Sequence, residues 1–395
     1  MFSISKKIDV NLKQILTNGN NKYYRVIILC KNLTKETTNK IKSFDGTVLN
    51  IIDSINCISA IINTKAIKRL AEYPSVEYII CDEYCLLCAS SITNANNISI
   101  KKKFMLSGKR IGIGVIDSGV YPHSDLLNPN NKIKDFKDFI NNINYPYDDN
   151  GHGTFISGIL SSSGYLSKGE YEGLAKDSNI YMVKSFDNAG RGFISDILTG
   201  LDYLISKDDN IKIILLPFET LRNDFITLNL FSSLFSLAVN KGITIIVPSG
   251  HNGNHEDSIR GIATLNNCIT VGGVDTSSNT IKPFSLSSGG DNKIVKPDLV
   301  APCSCILSLN SNTSYISQRN GIKIYPSPLD KPYTIYSGTS IAAAFVASLC
   351  ALLYEYNNDY TFKDISSLLK ISCTPLKYPS YLQGEGMIDI NKLLP

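Results

Sequence analysis

Apolar and polar positions divide the chain into two stretches with different rhythms. From about Lys22 to Asp82, short apolar runs alternate with amphipathic ones. "YYRVIILCK" predicts a strand, "TKETTNKIKSF" a helix, "ISAIINTKAIKRLAEYP" a strand then a helix, and "SVEYIICDEYC" a last strand. This β-α-β, β-α-β order describes a small α+β sandwich. From Arg110 onward, runs that are apolar at every position recur, each followed by Gly, Asp or Ser: "RIGIGVIDSG", "NIYMVKSFD", "IKIILLPFE", "ITIIVPSGHNG" and "CITVGGVD". Such runs suit parallel strands covered on both faces. The segments between them, "FISDILTGLDYLIS" and "LNLFSSLFSLAVNKG", have helical spacing. The predicted organisation is an N-terminal extension (1–21), a small α+β domain (22–88), a Ser/Asn-rich linker (89–109) and an α/β domain with a mostly parallel central sheet (110–395). Ser308 to Thr334, polar and punctuated by proline, reads as a surface insertion.

Composition narrows the function classes. A hydrophobic fraction of 43% over 395 residues supplies a substantial core and excludes wholesale disorder. Lys and Arg number 39 against 35 Asp and Glu, and the longest cationic run is Lys101-Lys102-Lys103, so no nucleic-acid partner is expected. The N-terminus lacks the apolar core of a signal peptide, and the longest apolar stretch, Ile341 to Leu353, is short for a bilayer. A cytoplasmic protein without a membrane span is the expectation. Most of the ten cysteines lie singly in apolar runs, where free thiols act as small hydrophobes. Cys81, Cys85 and Cys88 form a C-x3-C-x2-C cluster, which reads either as iron–sulfur ligands or as a strand end and linker that carry cysteines.

Three stretches carry chemistry. "GVIDSGV" ends a strand on Asp117, "DDNGHGTFISGIL" sets His152 at the head of an apolar helix, and "YSGTSIAAAFVASL" sets Ser340 at the head of another. In a parallel α/β sheet, reactive groups gather at the carboxyl ends of strands. Carboxylate, imidazole and hydroxyl are the parts of a nucleophilic triad: the ring takes the serine proton, and the acid fixes the ring's tautomer. Each residue alone also reads as a cap. All three flanking motifs together favour the triad.

Those motifs, in the order Asp, His, Ser, resemble the signature blocks of the subtilisin-like serine proteases (subtilases) of peptidase family S8, an order general to that group. "GLAKDSNIYMVKSFDNAGRG", "KPDLVAPC" and "CITVGGVD" are similar to family segments too, so the resemblance spans most of Arg110 to Pro395. It implies a three-layer subtilisin-like fold, a serine endopeptidase acting on protein or peptide substrates, and no catalytic cofactor. It identifies Lys22 to Cys88 with the family's propeptide, an intramolecular inhibitor whose tail occupies the cleft. Cleavage is then expected near Cys88-Ala89, with "CLLC" as the tail. Structural calcium is common in the family, and Asp125 is the single carboxylate that invites comparison. Intracellular subtilisins, leader peptidases of modified-peptide pathways and spore-germination subtilases all resemble this chain in lacking an export signal, so a spore-associated location stays open.

Two departures from the family pattern bear on the site. Where an oxyanion-hole asparagine is usual, "IIVPSGHNGN" places His251 after Gly250, with Asn252 next; either a one-residue loop shift lets Asn252 donate or the His251 ring does. Where a Ser-Leu-Gly-like substrate-pairing segment is usual, Pro217, Phe218 and Glu219 stand, which removes one N–H donor and adds a charge near the cleft. These changes leave a catalytically impaired pseudoprotease, acting as a binding or regulatory module, as the alternative.

Overall fold

The computed structural model describes residues 7–18, 22–32, 35–87, 106–207, 210–220, 223–277, 280–290 and 295–394. The N-terminal part comprises helix α1 (Val10–Asn18), strand β1 (Tyr24–Cys30), helix α2 (Lys35–Ser43), strands β2 (Thr47–Ile52) and β3 (Cys57–Ile62), helix α3 (Thr64–Leu70) and strand β4 (Val76–Cys81). The four strands form an antiparallel sheet in the order β2-β3-β1-β4. Because side chains alternate along a strand, β1 divides its apolar residues between two layers. Val26 and Ile28 pack with Ile41, Ile67 and Leu70 of α2 and α3, forming a core of their own. Ile27 points the other way, into an apolar cluster shared with the following domain. Both faces are therefore covered, which explains why "VIILC" has no polar position. Ile8 and Leu12, from the stretch read as an extension, are buried in the first of these cores.

After strand β5 (Tyr84–Leu87) the chain builds a larger sheet. The elements of this part of the chain include β6 (Gly112–Asp117), α4 (Ser124–Leu127), β7 (Ile133–Asp138), α5 (His152–Ser161), β8 (Asn179–Lys184), β9 (Arg191–Phe193), α6 (Ile194–Ser206), β10 (Ile211–Leu215), β11 (Phe218–Thr220), α7 (Phe225–Asn240), β12 (Thr244–Pro248), β13 (Ile269–Asp275) and α8 (Thr339–Tyr356). The order β7-β8-β6-β10-β12-β13 continues through Leu299–Pro302 and Met387–Ile388, with every neighbouring pair in that run parallel. Helices α5 and α8 cover one face within one apolar cluster, and α6 and α7 cover the other within a second. The result is a three-layer α/β fold.

Chain direction across the sheet reverses around β6: β7 and β8 lie to one side, β10 to β13 to the other. A crevice opens at the carboxyl end of the strands at such a switch point, and Asp117 ends β6 there. Helix α8 is buried from Thr339 to Tyr354. It extends beyond the apolar stretch read from sequence and is long and apolar enough to cross a membrane, but here it is the fold's central core helix.

Candidate active site

Asp117 is fully buried, and both of its carboxylate oxygens lie 2.8 Å from His152 Nδ1. The Ser118 backbone N–H donates to Asp117 Oδ1 at 2.6 Å and holds the acid in place. An Nδ1–H donated to a carboxylate fixes the ring's tautomer, leaving Nε2 as an acceptor. Nε2 is buried and has no hydrogen-bond partner among the described residues. Gly153, next to His152, is there for space. A Cβ on Gly153 would sit 2.1 Å from the Gly119 carbonyl oxygen and 3.1 Å from Asp117 Cβ, so a side chain at that position would push the acid away.

The turn before His152 is braced by Asp148. One of its oxygens accepts from Gly151 N at 2.8 Å and Ser118 Oγ at 2.9 Å; the other accepts from Thr154 N at 2.8 Å and Thr154 Oγ1 at 2.6 Å. Sequence reading passed over Asp148. An acid just upstream of "NGHGT" is a capping signal that could have found it.

Ser340, fully buried, is the second residue of α8. The N-cap residue, Gly338, has no side chain to cap with, and the first helical N–H, that of Thr339, donates instead to His251 Nε2 at 3.0 Å. The Ser340 hydroxyl donates to the Pro217 carbonyl at 2.9 Å. His251 thus lies against the start of the serine's helix. Its ring also senses His152: burial first, and then the charge of His152, lower its pKa to about 4. The ring is neutral at pH 7, and with Nε2 accepting, its one N–H is at Nδ1.

The two oxyanion candidates are placed differently. The ring of His251 meets α8, whereas Asn252 directs its Nδ2 to Glu219 Oε2 at 3.3 Å and is exposed. The same Glu219 oxygen accepts the His251 backbone N–H at 3.0 Å, and Asn252 N donates to Ser288 Oγ at 2.8 Å. Burial pushes the Glu219 carboxyl above its ordinary pKa, against two opposing hydrogen bonds. Phe218 is buried, its ring 5.1 Å from that of Phe186, so only its backbone faces the cleft.

Beside Ser340, β5 is the middle strand of a three-stranded antiparallel sheet, flanked by β9 and β11. Phe218 pairs with Leu87, Glu219 with Leu86 and Thr220 with Cys85. The chain's own segment thus lies as an added strand along the cleft. Cys88 and the cleavage site expected after it lie outside the described residues.

Residues 108–387 match the family model described as "Subtilase family". The chain belongs to the subtilase family. It is 31% identical over 380 residues to "Serine protease AprX" of Bacillus subtilis (strain 168), covering 92% of this chain and 83% of that protein. It is 25% identical over 356 residues to "Subtilisin E" of the same organism, covering 87% of this chain and 82% of the other. Among solved structures, fervidolysin from Fervidobacterium pennivorans, described as a keratinolytic enzyme related to subtilisin, shares the fold with a TM-score of 0.75 at 18% identity, over 95% of this chain and 61% of its own. The three-layer fold expected from the signature motifs and the assignment to a family of serine proteases both hold.

Two further residues singled out by sequence have definite surroundings in this subtilase. Asp125, compared with calcium ligands, accepts from Tyr333 Oη at 2.8 Å, Leu166 N at 2.9 Å and Ser162 Oγ at 3.3 Å. Its oxygens are taken up by N–H and O–H donors. Cys85 is fully buried in the cluster that holds Phe186 and Phe218, and burial raises its thiol pKa well above normal, the reverse of what a thiolate metal ligand needs.

One polar cluster had no signal in the sequence. Arg25 of β1 reaches Asp82 through Nε at 2.6 Å, and Asp196 and Ser195 at the start of α6 through its second nitrogen at 2.6 Å and 2.7 Å. Asp82 also accepts the Ser195 backbone N–H at 2.9 Å, and Asn50 Nδ2 donates to Asp196 at 3.2 Å.

Proposed function

We propose that this subtilase is a serine endopeptidase made as a zymogen, with Ser340 as nucleophile, His152 as general base and acid, and Asp117 as the group that orients the ring. The observation that carries this reading is the Asp117–His152 pair: a buried carboxylate spanning Nδ1 at 2.8 Å, with a buried Nε2 that still lacks a partner. Ser340 Oγ rotates from the Pro217 carbonyl toward that Nε2, gives it the proton and attacks the substrate carbonyl carbon. His152 then returns the proton to the leaving amine. Water hydrolyses the acyl-enzyme by the same route in reverse.

Negative charge on the tetrahedral oxygen develops at the α8 N-terminus, where the helix dipole favours it. The Ser340 backbone N–H and the His251 Nδ1–H are its donors. Asn252, whose amide is engaged by Glu219, plays no direct part. The N-terminal sheet and its tail, β5, act as the inhibitor, with β5 holding the place of substrate.

The test is covalent labelling with a fluorophosphonate, together with the fate of the N-terminal segment in purified protein. Labelling at Ser340, and loss of both labelling and segment removal in Ser340→Ala, are expected. Processing that persists in Ser340→Ala without added protease would overturn self-cleavage. Absence of labelling in the processed chain would leave a binding module in place of an enzyme.

A further inference from the structure

We propose that Glu219 makes this site select a lysine or arginine at P1, the residue whose carbonyl is attacked. The inference rests on the endopeptidase reading and adds the class of substrate cut in trans; the chain's own residue for that position, Cys88, would be brought there by its covalent tether and not by side-chain selection.

The register supplies the geometry. Leu86 lies opposite Glu219 and Leu87 opposite Phe218, so the next position of any occupant of this strand falls opposite Pro217. The Pro217 carbonyl is 2.9 Å from Ser340 Oγ, which makes that next position P1. Side chains alternate, and directly opposed residues share a face. Cys85 and Phe218 take the core face, where both are fully buried. Glu219 and P1 therefore share the opposite face, toward Gly250 and His251. Glu219 and P1 are diagonal neighbours there, a spacing that long side chains bridge.

The chemistry at that point calls for a cation. Glu219 Oε2 accepts two N–H groups, from His251 and Asn252, but Oε1 has no hydrogen-bond partner among the described residues. None of the ion pairs formed among the described residues includes Glu219. His251 is no counter-ion, because burial keeps its ring neutral. A half-buried carboxylate with one oxygen unengaged attracts a cation, and a guanidinium or ammonium from substrate would form a charge-assisted hydrogen bond there. The backbone makes room for the acid as well: a Cβ on Gly250, at φ 95°, would sit 2.5 Å from Glu219 Oε2.

The competing role for Glu219 is a brace for the 251–252 loop, with no part in selection. The experiment uses the full chain after processing, with active sites counted by fluorophosphonate, and a peptide series differing only at P1: Arg, Lys, Gln or Leu. We expect kcat/KM for Arg and Lys to exceed that for Gln and Leu by at least about ten-fold, the range for a hydrogen bond to a charged group. In Glu219→Gln, which keeps shape and one amide-accepting oxygen, the Arg-to-Gln ratio should fall below about three-fold. A wild-type enzyme that cuts Leu or Gln peptides as well as Arg peptides overturns the proposal without any variant. So does an Arg preference that survives in Glu219→Gln, or an equal loss on all four peptides, which is the signature of a brace. A processed chain that neither labels nor cuts any peptide overturns the endopeptidase reading itself, an outcome distinct from cleavage without P1 preference.

Discussion

The guanidinium of Arg25, on the inner strand β1 of the N-terminal sheet, lies 2.6 Å from the Asp196 carboxylate in the first turn of α6, 171 residues further along the chain. Its other contact, Asp82, is fully buried at the side chain and stands just before β5. One arginine therefore ties the sheet, the approach to the cleft strand and helix α6 to each other. Removing it leaves two buried carboxylates uncompensated, a loss of about 3–5 kcal/mol in comparable pairs. Arg25→Met should raise hydrogen exchange in Tyr84–Leu87 markedly over wild type. Adding Asp196→Asn to that variant should cost much less than the first substitution, because the two share one interaction.

The same cluster makes docking depend on pH. Burial pushes the Asp196 carboxyl up to about 6, with the Asp82 charge adding to the rise and Arg25 and Asn50 opposing it. Asp82 is raised too, mainly by burial. An undocked carboxylate titrates near its ordinary value of about 4. Between those values the docked state keeps a proton that the undocked state has released. Docking is thus strongest below about pH 4 and is weakened as pH rises through about 6. Exchange of Tyr84–Leu87, corrected for its intrinsic pH dependence, should accelerate across that window in wild type and more shallowly in Asp196→Asn, where only Asp82 still titrates.

The placement of His251 and Asn252 separates their roles. His251→Ala should lower kcat by about two to three orders of magnitude, the scale of losing one oxyanion donor, with a smaller effect on KM. Asn252→Ala should change kcat by less than about three-fold, since its amide is turned to Glu219. A large loss in the second variant with little in the first would reverse the assignment. Steady-state kinetics on one peptide substrate decides between them.

Asp117→Asn tests the tautomer argument. The amide fits the same space but favours the wrong ring tautomer at His152, and a fall in kcat of about four orders of magnitude is expected. Circular dichroism and thermal unfolding should remain close to wild type, which separates a failed base from a failed fold.

What the sequence disclosed was what is local. Asp117, His152 and Ser340 each sit in a short motif whose glycines and apolar followers report strand-end or helix-start geometry, so their placement could be read one stretch at a time. The all-apolar runs likewise announced buried parallel strands. The Arg25–Asp196 link left no trace, because nothing near either residue encodes the other. The His251 ring, weighed against Asn252 as an oxyanion donor, also accepts the Thr339 N–H through Nε2. That relation joins two distant loops and appears only when the helix start is seen to lack a cap of its own.

The slot between β9 and β11 admits one strand at a time, and in this molecule the polypeptide that forms the slot also fills it. On the zymogen reading proposed above, turnover in a fresh preparation is governed by departure, not by arrival. On that reading, substrate competes for a vacancy that appears at a rate set within the molecule, and the progress curve begins with a lag that added substrate cannot shorten.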